Sequence, residues 1–197
     1  LLLTAEEWDK LLVEPKYKEK YILVYQLGIN KEIVDFARRL HNKTGYRIVY
    51  IPFPLVGLLK CDCKITVGPA EWMGLFKNAE YVVSDSFHGV VFALIFNRKF
   101  FAKVNGHHMT RRVQQLLNLV KLTDRTMDDV SYEKLTEEID FTYANEQIAR
   151  FRSPLTSIKG YLEAIEDGTV PPEMINKYIN IVLFETERLT KLTSNIL

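Results

Sequence analysis

Short apolar runs separated by helix-length stretches constrain this chain more than any other feature. Tyr21-Ile22-Leu23-Val24-Tyr25, Ile48-Val49-Tyr50-Ile51, Tyr81-Val82-Val83 and Phe100-Phe101-Ala102 are rich in β-branched and aromatic residues, and none alternates with polar positions. A strand that is apolar on both sides must be covered on both faces, which is the situation of a parallel sheet between two helix layers. Between the runs lie helical signals. Asn30 can cap a helix carrying Ile33, Val34, Phe36, Ala37 and Leu40, and Gly45 can end it. Pro52 and Pro54 terminate the second run, and a loop is expected through Lys64. Pro69 suits a first helical turn ahead of Trp72, Met73, Leu75 and Phe76, and a wholly apolar helix is expected over 90–96. Strand and helix in alternation predict an α/β fold with a Rossmann-like, doubly wound parallel sheet. From Arg111 onward the pattern is helical, through Val113, Leu116, Leu117 and Val120, then over 132–139, then from Tyr143.

The chain changes character after Arg152. Leu155, Ile158, Leu162 and Ile165 recur every three or four residues, Gly168 interrupts, and Pro171-Pro172 restart a stripe through Ile175, Tyr178, Val182, Leu189, Leu192 and Ile196. This predicts a C-terminal helical hairpin whose apolar seam exceeds what two helices can bury between them. Two segments are therefore expected, 1–152 and 153–197.

Bulk chemistry excludes several function classes. With 26 Lys and Arg against 25 Asp and Glu, the net charge of +1 gives no reason to expect nucleic acid or an anionic membrane surface as the partner. No apolar run reaches the roughly 18 residues of a membrane span, and the opening Leu-Leu-Leu-Thr-Ala-Glu-Glu-Trp lacks the features of a signal peptide, so a cytoplasmic location is expected. The missing initiator Met suggests a piece of something longer. Cys61 and Cys63 are too close for an unstrained disulfide and lack companion ligands, so they are read as reduced thiols. His107-His108 also lacks carboxylates or cysteines at useful spacing and is read as a solvated loop; no metal or cofactor is expected.

The residues that carry chemistry follow the third run. Ser84, Asp85, Ser86, His88 and Gly89 fall between a buried strand and an apolar helix, at the carboxyl end of a parallel strand where α/β sheets bind ligands. The helix start offers free N–H groups and a positive dipole end to a phosphate or carboxylate. Ser86 can donate a hydroxyl, His88 can pair with an anion or pass a proton, and Gly89 can let a ligand approach the backbone. The alternative from the same residues is that Asp85 and Ser86 only cap the helix.

Residues 67–89, from Val67-Gly68-Pro69-Ala70-Glu71-Trp72 to Tyr81-Val82-Val83-Ser84-Asp85-Ser86-Phe87-His88-Gly89, resemble the polysaccharide pyruvyl transferase family. Ile95-Phe96-Asn97-Arg98, Arg112-Val113, Leu116-Leu117 and Asp124-Arg125 extend the resemblance, and Ser84 replaces the family's more usual Thr. The resemblance implies the C-terminal half of a GT-B-like enzyme that moves the pyruvyl unit of phosphoenolpyruvate to hydroxyls of a glycan or a nucleotide- or lipid-linked sugar. It implies His88 and Ser86 as donor-phosphate contacts, Arg112 as a further anion contact and Asp85 as an orienting group; Glu71 is expected to be an exposed helix carboxylate. With the family's N-terminal half absent, one wall of a cleft is not expected to turn over alone.

Residues 151–164, with Pro171-Pro172-Glu173, Tyr178 and residues 185–192, resemble the dimerisation and phosphoacceptor hairpin of sensor histidine kinases. That likeness implies a possible homodimer through 153–197. Ala149 and Arg150 stand where that family has its phosphoacceptor His and adjacent acid, so phosphotransfer is not expected. The join near Phe151-Arg152-Ser153 is expected to unite two unrelated coding fragments.

Overall fold

The computed structural model describes residues 3–28, 30–51, 63–64, 67–104, 108–128 and 130–194. The chain divides into two compact units, Thr4–Ala144 and a second from Asn145 onward.

In the first unit, strands β1 (Tyr21–Tyr25), β2 (Arg47–Ile51), β3 (Cys63–Lys64), β4 (Tyr81–Ser84) and β5 (Lys99–Ala102) form one sheet in the order β3-β2-β1-β4-β5. All four pairings are parallel. The helices are α1 (Ala5–Asp9), α2 (Lys31–Thr44), α3 (Pro69–Asn78), α4 (Phe87–Ile95) and α5 (His108–Val120). The expected Rossmann-like α/β fold is therefore present, followed by a helical end.

Local chemistry explains the boundaries. Asn30 caps α2 by accepting from the Glu32 N–H at 2.9 Å, and Gly45 closes it in the left-handed region at φ 70°. Pro69 occupies the first turn of α3, where its missing N–H costs nothing. Thr4 and Glu7 form a reciprocal capping box on α1.

The two faces of β1 take different partners because successive side chains point oppositely. Ile22 and Val24 join Ile33, Val34, Phe36, Ala37 and Leu40 of α2 in one buried cluster that also holds Tyr50, Val83 and Phe101. Tyr21 and Tyr25 turn to α3: the Tyr21 hydroxyl donates to the Leu75 carbonyl at 2.7 Å, and the Tyr25 ring meets Trp72 and Phe76 edge-on. Burial lifts the Tyr21 phenol pKa far above its ordinary value.

Several expectations need correction. Lys64 is not loop but pairs with Tyr50 in β3, a two-residue strand that carries no legible period. His108 begins α5 instead of lying in a loop; the side chain of His108, all of His107 and Cys61, and the Cys63 side chain fall outside the described residues. Over 132–139 only Glu133–Thr136 is helical, as a single 3-10 turn around buried Leu135.

The helix α6 (Thr142–Glu166), which belongs to the second unit from Asn145 onward, and α7 (Ile175–Ser194) are joined through Gly168, at φ 74°, and a 3-10 turn at Pro172–Met174. Tyr161 and Tyr178 meet edge-on at 5.2 Å, which makes the two helices a hairpin. The helix α6 runs unbroken through 152–153, with Pro154 inside it removing one backbone donor. No residue of α7 is buried, and Leu183 and Phe184 are 57% and 65% exposed.

Candidate functional site

The strand order reverses between β1 and β4, since the chain leaves β1 toward β2 and β3 and then returns to β1's other side. At such a switch point the loops beyond the carboxyl ends diverge and leave a crevice. The loop from β4 to α4 lies there, facing the chain that leaves β1.

That loop is built largely by hydrogen bonds to its own kind. Ser84, fully buried, donates its hydroxyl to the Tyr25 carbonyl at 2.6 Å and accepts the Ser86 N–H at 3.0 Å. Ser86, also fully buried, is the N-cap of α4 and accepts the Gly89 N–H at 3.4 Å. Asp85 reaches across the crevice and accepts the Leu27 N–H at 3.0 Å. A Cβ on Gly89 would sit 2.4 Å from the Ser84 hydroxyl oxygen and 3.3 Å from the Tyr25 ring.

These contacts correct two expectations. The Ser86 hydroxyl is not presented to solvent, because Ser86 is fully buried and its side chain caps α4. Gly89 is required for helix-to-strand packing, not for the approach of a ligand, since its open side faces Ser84 and Tyr25.

The outward-facing groups are fewer. His88 is exposed on the first turn of α4. Phe87 is half-buried, with the His88 ring at 5.9 Å and the Arg112 guanidinium 5.1 Å from its centroid. The ring therefore ties Arg112 of α5 to the turn that carries His88. Glu71 is exposed on α3, as expected of a solvated helix carboxylate.

Two further groups at this sheet edge carry no motif. Lys103, directly after β5, donates its N–H to the Ser84 carbonyl at 2.9 Å. Burial disfavours its charge, but hydrogen bonds to Asp128 and Glu32 prevail and hold its pKa above the usual lysine value. A lysine one residue past a parallel strand is a legible signal, yet these carboxylates already occupy it. Gln26 is buried beside the Tyr50 hydroxyl, and only the register of β1 reveals that.

Burial raises the Asp85 pKa above the ordinary carboxylate value, against the opposing pull of the Leu27 N–H and its own backbone N–H. A raised native pKa means that the folded chain binds the proton more tightly than the unfolded chain. Its contribution to stability therefore declines as pH rises from the unfolded value through the folded one. Asp85→Asn keeps an acceptor for Leu27, so it is expected to remove this decline without loss of stability at neutral pH. Chemical denaturation across the acid range checks this; an unchanged pH slope would contradict it.

A model of polysaccharide pyruvyl transferases matches residues 3–107, more than half of the 197-residue chain. The chain belongs to the polysaccharide pyruvyl transferase family. The match contains the whole sheet, α3, α4 and the Ser84 to Gly89 loop, and it stops before Arg112. A model of the His Kinase A (phospho-acceptor) domain matches residues 150–197. That match begins one residue after Ala149. No helix among the described residues is long and apolar enough to cross a membrane.

Proposed function

We propose that residues 1–152 are the donor-binding half of a GT-B-like pyruvyl transferase, in which His88 and Arg112 hold the phosphate of phosphoenolpyruvate. The observation that carries this is the exposed His88 on the first turn of α4, with both its ring and the Arg112 guanidinium against the Phe87 ring. In the reaction, a sugar hydroxyl oxygen bonds to C2 of the enolpyruvyl unit, the methylene carbon takes a proton, and addition of a second hydroxyl completes a ketal as phosphate leaves. Charge grows on the departing phosphate, so cationic contacts there are worth most in the transition state. His88 can supply such a contact or hold a proton. Ser84, Asp85, Ser86 and Gly89 serve by fixing the turn that presents it.

The acceptor belongs on the opposite wall of a two-domain cleft. The chain by itself is therefore expected to bind phosphoenolpyruvate without transferring pyruvyl groups. Calorimetric titration should show binding that weakens at least about tenfold in His88→Ala, the loss of one charge-assisted contact. Equal binding by parent and variant would refute the site, and ketal formation by the isolated chain would refute the need for a second wall.

A second reading applies to residues 153–197, a dimerising hairpin without phosphotransfer. Its support is the exposure of the large apolar side chains Leu162, Ile179, Leu183 and Phe184. Sedimentation should show a concentration-dependent dimer that Leu183→Glu with Phe184→Glu abolishes. A monomeric parent at the highest soluble concentration would contradict it.

A further inference from the structure

We propose that Lys103 is a positioning residue for the His88 site: through Glu32 it fixes the first turn of α2, and with it the Leu27 N–H that holds Asp85. The purpose of this device rests on the anion-site reading, but its geometry does not.

Lys103 follows β5 directly and stands two residues past Phe101, so its side chain leaves the sheet on the face that α2 covers. The helix α2 extends that far across the sheet, since the Phe36 ring lies 4.9 Å from the Phe101 ring. The Lys103 side chain is only 11% exposed, and its ammonium pairs with Glu32 at 2.5 Å and with Asp128. In the sheet, β4 separates β5 from β1. The pair with Glu32 therefore joins the end of β5 to the first turn of the helix that follows β1, past the strand that carries the Ser84 to Gly89 loop.

The two carboxylates are not equivalent. Asp128 belongs to a segment already fastened to β5, because the Met127 N–H donates to the Ala102 carbonyl at 3.0 Å and Thr126 bridges Ala102. Glu32 is 67% exposed, and the Asn30 cap on its N–H is local to the helix. Core packing of Ile33, Val34, Phe36, Ala37 and Leu40 holds the body of α2, and Lys103 supplies the tertiary hold on the side chain of its first turn. On the other side of Asn30, the Leu27 N–H donates to Asp85 at 3.0 Å. Lys103 also donates its own N–H to the Ser84 carbonyl at 2.9 Å. It thus holds the loop at Ser84 through the main chain, and at Asp85 through Glu32 and Leu27, three residues before His88. An apolar side chain would fill this position without the desolvation of an ammonium. What the charged pair adds is a fixed direction for the start of α2 at the crevice, the support from behind that a binding geometry needs.

Glu32→Ala and Lys103→Met in the full chain test this, by nuclear magnetic resonance without ligand and by titration with phosphoenolpyruvate. Both variants are expected to shift the Leu27 and Asp85 amide resonances and the His88 ring resonances, while Leu23 and Val82 in the sheet keep theirs. Affinity should fall about fivefold in each, the scale of coupling within one network of contacts, and Lys103→Arg should restore most of it. Glu32→Ala separates positioning from direct contact and, because Glu32 is exposed, serves even if Lys103→Met does not fold. It relieves the Lys103 ammonium of one carboxylate, so a lysine that touched the phosphate would bind it more tightly in this variant. Tighter or unchanged affinity in Glu32→Ala would overturn the proposal. Leu27 and His88 resonances identical to the parent would overturn it too, whatever the change in melting temperature. If those resonances move while the parent binds no phosphoenolpyruvate, Lys103 still positions the loop and only the anion-site reading fails.

Discussion

Gly74→Ala is expected to be among the most damaging single-methyl additions in the α/β unit. A Cβ there would lie 1.8 Å from the Val13 carbonyl oxygen and 2.9 Å from its carbon. The obstacle is backbone, so no rotamer change relieves it. The Val13 N–H also donates to the Ala70 carbonyl at 3.0 Å, which pins the segment to α3 one turn earlier. Relief requires that segment to move off α3. That would pull on α1, whose Trp8 ring packs 5.0 Å from Phe92. Overpacking of this kind costs about 2–3 kcal/mol, which for a unit of this size lowers the melting temperature by on the order of 10 °C. Gly45→Ala is the control. It has open space around its Cβ and only a left-handed φ to oppose alanine, so a loss of about 1 kcal/mol is expected. Equal small losses for the two variants would show that the Val13 segment does not pack on α3 as described.

Gly89→Ala is expected to damage stability and the site together. The new methyl would meet the Ser84 hydroxyl oxygen at 2.4 Å and its Cβ at 3.0 Å. That hydroxyl is not free to turn away, because it donates to Tyr25 and accepts from Ser86. Either α4 shifts outward or two buried hydrogen bonds break, for about 2 kcal/mol in each case. Both outcomes displace His88, so binding of phosphoenolpyruvate should be lost even at temperatures where the variant is folded. Ser84→Ala in the same chain removes the closest atom and should recover part of the stability but not the binding, a coupling that a double-mutant cycle measures. Additive losses would place the two residues out of contact.

The main strands were legible because each is buried on both faces and so carries no polar alternation to confuse the reading. Helix limits were legible where a single residue has a single reason to be there, as with Asn30, Gly45 and Pro69. What escaped has a common cause in tertiary contact. β3 is two residues long and exists by pairing with Val49 and Tyr50. The stretch 132–139 has the apolar spacing of a helix, but only Leu135 among 131–139 is buried, and a single turn suffices to bury it. At the site, residue types pointed to the loop between β4 and α4, but not to the inward direction of Ser84 and Ser86. For Ser84 that direction depends on the carbonyl of Tyr25, which lies on another strand. It is visible in sequence only as the last residue of an apolar run.

In the tail the helical pattern was legible over 153–197, and the contact between α6 and α7 and the match to the phospho-acceptor domain over residues 150–197 agree with it.

The central claim is that an anion binds at the first turn of α4 between His88 and Arg112. Backbone and histidine-ring resonances of the isotopically labelled chain, followed during titration with phosphoenolpyruvate, test it most directly. The account predicts saturable shifts centred on Phe87, His88 and Gly89 and extending to Arg112, greatly weakened in His88→Ala. Shifts centred instead on Lys103 and Asp128, or none at the turn of α4, would contradict it.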